Sequence, residues 1–170
     1  MKSAKENVMR IFVVCLLAWF IAQLIKVIIN FTKYVIDKKK GRKAKKVTLE
    51  TLFKLGGMPS SHTATVISLC GCVGLRNGFD SDIFAVAGVF AFITMFDAFK
   101  VRLPISRLTD AFNRIQAKVC NGEAEDVKKV EGHTIPEIIG GIVVGLSTAL
   151  FMVKVVGFFE LPLDFFPFNL

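Results

Sequence analysis

With 170 residues the chain has room for one domain, and its 53% hydrophobic content and mean hydropathy of +0.56 exceed what a soluble core of that size needs. This excludes an ordinary water-soluble globule and predicts an all-α integral membrane bundle of about four transmembrane helices with short amphipathic helices in the loops. The net charge of +8 rests on basic residues that flank apolar runs and form no nucleic-acid module, so nucleic acid is set aside as a partner.

The first span runs from Ile11 to about Ile36, interrupted by Gln23, Lys26, Asn30 and Lys33. Lys2, Lys5 and Arg10 ahead of Ile11 to Ala22 imitate a secretory signal, but no small-x-small site follows and the apolar run continues past Lys26. An uncleaved first span is therefore expected. Next come the basic run Asp37 to Lys46 and a short amphipathic piece, Val47 to Leu55.

His62 to Leu75 gives a second span of only 14 residues, short of the roughly 20 that cross a bilayer core. Its motif end is expected to sink below headgroup level, shielded by neighbouring helices. Asp82 to Phe99 is the third span, and Ile135 to Phe159 the fourth. Lys100 to Glu131 joins them through an amphipathic helix around Leu108 to Val119 and a polar turn at Asn121-Gly122. The aromatic tail, Phe158 to Leu170, is expected at the membrane interface.

Four spans place the end of the first, the start of the second, the end of the third and the start of the fourth on one side. That side carries 16 Lys and Arg residues, nine from Lys33 to Lys54 and seven from Lys100 to Lys129; the other carries five, Lys2, Lys5, Arg10, Arg76 and Lys154. The asymmetry predicts a cytoplasmic motif face in a plasma (inner) membrane. The lysine run either sets this topology alone or also attracts anionic headgroups. Cys15, Cys70, Cys72 and Cys120 are too scattered for a disulfide framework or a zinc site.

Both histidines stand on the motif side, in Gly56-Gly57-Met58-Pro59-Ser60-Ser61-His62 and in Gly132-His133-Thr134-Ile135-Pro136-Glu137. Each motif opens into an apolar helical run, and a helix N-terminus presents unpaired N–H groups and a positive dipole end to an anion. A histidine there is either a capping-region residue or a catalyst. Asp97 either pairs with Lys100 or Arg102 or orients a catalytic group, and Lys26 either snorkels to the interface or serves the site. His62, His133, Asp97, Asp110 and Glu137 also supply metal-ligand types, in a spacing that matches no metal motif. Asp110, Asn113 and Arg114 line a pocket or face solvent, and Gly141 and Gly145 serve packing within the bundle or pairing of two copies as a homo-oligomer.

Pro59-Ser60-Ser61-His62 resembles the Pro-Ser-Gly-His signature of the phosphatidic acid phosphatase type 2 superfamily, which includes vanadium-dependent haloperoxidases. The string Gly-Gly-Met-Pro-Ser-Ser-His-Thr-Ala, with Met95-Phe96-Asp97-Ala98 and Gly-His-x-x-x-Glu, is similar to that superfamily's small divergent branch, over about Gln23 to Gly145. The resemblance implies a lipid phosphatase, a phosphoric monoester or diphosphate hydrolase, in which His133 attacks phosphorus, Glu137 orients it and His62 is the general acid. It implies a phosphate cradle of Gly57, Ser60 and Ser61, with Lys26, Lys100, Arg102 and Asp97 around the phosphate. No metal or other cofactor is asked for; the partners are a phosphorylated lipid substrate and membrane lipids.

Two departures stand out. The superfamily's Lys-x6-Arg-Pro survives only as Lys26 with Lys33, and the Ser-Arg before the nucleophile is missing, with Val127 in its place and Lys128 and Lys129 nearby. These keep open a non-catalytic alternative, a protein that binds or moves phosphorylated lipids across the bilayer.

Overall fold

The computed structural model describes residues 2–42, 57–119, 126–155 and 157. The Val47 to Leu55 piece, the Asn121-Gly122 turn, Cys120 and the tail after Gly157 lie outside the described residues. Those described form an all-α bundle: α1 (Lys2–Lys39), α2 (Ser61–Asn77), α3 (Asp82–Phe96), a π-helical stretch (Asp97–Arg102), α4 (Leu103–Val119), α5 (Ile135–Leu150) and a second π-helical stretch (Phe151–Val155).

Three helical stretches are long and apolar enough to cross a membrane: Val8–Lys39, Asp82–Val119 and Ile135–Lys154. They turn Phe12, Phe20, Val86, Phe92 and Val143 outward, as lipid contact demands and water would penalise. The shorter α2 is enclosed instead, packing on α1, α3 and α5. That enclosure explains the polar residues Thr63 and Ser68 buried along it, which bond within their own helix.

On α1, Val14, Ala18, Ala22 and Lys26 recur every fourth residue and are at most 1% exposed. Side chains four apart share a helix face, and small ones there let backbones approach. Along the seam of α2 and α5 this reaches contact distance. A Cβ built on Gly141 would lie 2.5 Å from the Ser60 carbonyl oxygen, one on Gly145 2.4 Å from the Ala64 carbonyl oxygen, and one on Gly71 3.0 Å from Ala149 Cβ. Gly141 and Gly145 therefore serve packing within the bundle, and they hold α2 and α5 side by side with both N-termini at one end.

The third span does not stop at Phe99. It widens into the π-helical stretch and runs on into α4, which begins at Leu103 rather than near Leu108. Pro104, in the first turn of α4, has no N–H to give the preceding turn, the circumstance in which a helix changes its bonding step. Asn113 then grips the Val127 backbone through both its amide nitrogen and its amide oxygen. With the Lys129–Asp110 ion pair at 2.5 Å, this pins residues 126–132 along α4. Ile105, Leu108, Phe112 and Ile115 remain exposed on α4.

Candidate functional site

His62 lies in the first turn of α2. Ser60 caps that helix, its hydroxyl accepting from the Thr63 backbone N–H and from the Thr63 hydroxyl, while its own N–H donates to the Glu137 carbonyl at 2.9 Å. The two histidine motifs are thus joined backbone to backbone. His133 precedes α5, where Thr134 and Glu137 take the positions of a capping box and the Glu137 carboxylate accepts from the Thr134 backbone N–H, satisfying a donor at the helix start.

His133 is 3% exposed, and its backbone N–H donates to the Ala98 carbonyl of the π-helical stretch at 3.0 Å. A Cβ on Gly132 would come within 2.2 Å of the Leu103 nitrogen, so only glycine lets the loop seat the histidine this deeply. Glu137 Oε2 lies 3.2 Å from His133 Nδ1 and 3.0 Å from the Thr134 nitrogen. A carboxylate only accepts, so Nδ1 carries the proton and Nε2 keeps its lone pair. Burial pulls the His133 pKa below the ordinary imidazole value, against the hydrogen bond and charge of Glu137, which raise it.

The His62 and His133 rings lie side by side, centroids 6.5 Å apart and planes tilted by 53°. They line one cavity with Thr94, Asp97, Ala98, Arg102 and Glu131. Asp97 Oδ2 accepts from Arg102 Nε at 2.5 Å, so one cation and its carboxylate stand at the mouth of the imidazole pair. The cavity is small, about 30 Å³, and large enough to hold water. The half-exposed Arg102–Asp97 pair borders it on the solvent side.

The other residues expected at the site are placed as follows. Lys26 does not snorkel: it is 1% exposed, runs beneath Gly57 with its Cδ 3.6 Å from where a Cβ there would sit, and lies within electrostatic reach of Glu131 and Glu137. Gly57 adopts φ +98°, a left-handed conformation that favours glycine, and it lines a separate polar cleft with Asn30, Ser106, Lys129, Glu131 and Glu137. Ser60 and Ser61 are buried in the start of α2, outside the residues that line the histidine cavity. Lys100 is exposed and stands 5.0 Å over the Phe99 ring, outside the residues that line the histidine cavity.

Asp110 and Asn113 hold the loop to α4 and, with Arg114, border a cleft of their own. Among the described residues no three His, Cys, Asp or Glu side chains gather as a metal-binding group. Glu131 and Thr94 are lining residues that the sequence reading passed over. Glu131, two residues before His133, was open to notice by position; Thr94 sits in an apolar run and carries no signal.

A helical membrane protein whose imidazole pair stands at the common end of two glycine-packed helices is the class that fold and site define. The chain belongs to the Divergent PAP2 family, whose pattern it matches over residues 8–148. It is also 36% identical over 149 residues to the uncharacterized membrane protein YuiD of Bacillus subtilis (strain 168), covering 79% of this chain and 88% of that relative. No solved structure matches it.

Proposed function

We propose that the chain is a lipid phosphatase of the membrane, hydrolysing a lipid phosphate monoester or a prenyl or other lipid pyrophosphate through a phosphohistidine. The observation that carries this reading is the imidazole pair, with one Nδ1 on a carboxylate and the rings 6.5 Å apart beside Arg102. His133 Nε2 attacks phosphorus while the bond to the lipid oxygen breaks, and protonated His62 gives that oxygen its proton; burial and then His133, Arg102 and Lys26 lower the His62 pKa, so its protonation depends on the negative charge of the bound phosphate. His62, now neutral, takes a proton from water, whose oxygen attacks the phosphohistidine; inorganic phosphate leaves and both histidines return to their starting states. Arg102 and Lys26 supply positive charge near the transferring group, where electrostatics and positioning carry most of the catalysis.

Phosphate release from a panel of lipid phosphates by purified protein in vesicles tests this. Release by wild type that His133→Ala abolishes supports the enzyme; release from no lipid, or equal release by His133→Ala, removes it. The missing Arg-Pro after Lys26 and the missing Ser-Arg before His133 favour a second reading, a non-catalytic protein that binds or moves phosphorylated lipids. That reading predicts saturable binding of the same lipids without release. The charge asymmetry of the sequence supports a site on the cytoplasmic face.

A further inference from the structure

A second cavity opens on the seam of α1 and α5, an apolar groove of about 480 Å³ walled by Ile25 and Ile29, by Pro59, and by Ile139, Gly140 and Val143. Its size suits one small ligand. Its walls are membrane helices, and Val143 and Ile139 are more than half exposed at its rim, so it opens sideways to the hydrocarbon layer. Gly140 shapes the floor: a Cβ there would stand 3.3 Å from Pro59 Cβ.

At one end the lining changes character between consecutive residues. Ile29, Met58 and Pro136 border the groove, while Asn30, Gly57 and Glu137 border a polar cleft of about 340 Å³ that also holds Lys129 and Glu131. Glu131 in turn lines the histidine cavity. The order along this path is apolar, then polar and charged, then the imidazole pair. That is the polarity sequence of an amphiphile with one tail. The groove is a single channel of about 480 Å³, and the second chain of a double-tailed lipid would lie outside it.

We infer that the groove between α1 and α5 receives the single apolar chain of the phosphorylated lipid, a long alkyl or isoprenyl phosphate, with its headgroup turned through the polar cleft to His133. The inference rests on the phosphatase reading for its headgroup chemistry, and the groove selects for one unbranched or isoprenoid tail. A bilayer lipid filling the same space carries no preference for a phosphate, which separates the two occupants.

The test uses the full chain in vesicles with a hexadecyl phosphonate, which cannot be hydrolysed, bearing a diazirine on its chain. Label should concentrate on Ile25 to Ile29 and Ile139 to Val143 and be competed by hexadecyl phosphate but not by diacyl phospholipid. In Val143→Trp, and in Gly140→Leu where that variant folds, labelling should fall roughly tenfold, the effect of overfilling a fitted space. Val86→Trp, on the lipid-facing side of α3, should label as wild type. Label spread over Val86, Val89 and Phe92, competition by any bilayer lipid, or labelling unchanged in Val143→Trp overturns the groove. Correct labelling in a chain that releases no phosphate from hexadecyl phosphate keeps the groove and removes only the hydrolase reading.

Discussion

Glu137 serves two neighbours with one oxygen, the Thr134 N–H that starts α5 and the His133 Nδ1. Replacing it with glutamine keeps a capping group but removes the charge and offers the imidazole either tautomer. We expect Glu137→Gln to lower kcat on the order of 100-fold, the scale of a misassigned acid or base. The pH profile should move as well. Burial already sets the His133 pKa low and Glu137 raises it, so neutral, nucleophilic His133 persists below the usual imidazole value of about 6.5. Without Glu137 the acid limb of kcat/KM should shift further toward low pH; a shift toward high pH would contradict the assignment. Lys26→Met should lower kcat/KM about tenfold or more while the protein stays folded, because a methionine fills the stem's space. An unchanged kcat/KM would make Lys26 a structural charge only.

At this scale the sequence was most legible where spacing has a geometric meaning. The spacing of four between His133 and Glu137 predicted their contact, although His133 stands just outside α5 and Glu137, in the first turn, reaches back to it. Ser60 and Lys100 were less readable, because a serine at a helix start turns either to its own backbone or to a ligand, and a lysine after a span turns either inward or outward. Only packing decides, and here Ser60 caps its own helix and Lys100 lies over Phe99, neither lining the histidine cavity.

Between elements, the site depends on two close approaches. Gly141 and Gly145 seat α5 against the backbone of α2, so Gly145→Leu must part the helices. A loss of about 1–3 kcal/mol is expected from such overpacking, read as a lower unfolding temperature in detergent; an unchanged temperature would mean the seam is looser than drawn. Gly132 is different in kind, since it fixes a loop rather than a core. Gly132→Ala displaces His133 from Ala98, and a displacement of order 1 Å at a reacting group costs roughly 100-fold in kcat. Thermal stability should change less than for Gly145→Leu. The small-residue spacing in the fourth span was visible in advance, but its partner was not. The continuous helix from Asp82 to Val119 was also hidden, because Lys100 and Arg102 resemble the end of a span and nothing local reveals that the helix carries on past Pro104.

For the whole molecule, hydropathy was enough to foresee a helical membrane bundle, and the short second span marked the enclosed helix α2 correctly. Its orientation rests on charge alone. With the chain's own cysteines replaced, Arg42→Cys in sealed cells should react with a membrane-impermeant maleimide only after permeabilisation; reaction in intact cells would put the histidine end outside. The site's assembly at that end is independent of this result, since it follows from two helix N-termini and one π-helical stretch meeting around a single cavity. The most direct check of the shared cavity is rapid quenching with phosphorus-labelled lipid phosphate. The proposed chemistry predicts an acid-labile, base-stable label on His133 that forms in the wild type, forms more slowly and also hydrolyses more slowly in His62→Ala, and is absent from His133→Ala. Steady release of phosphate with no label on His133 in either the wild type or His62→Ala would contradict it.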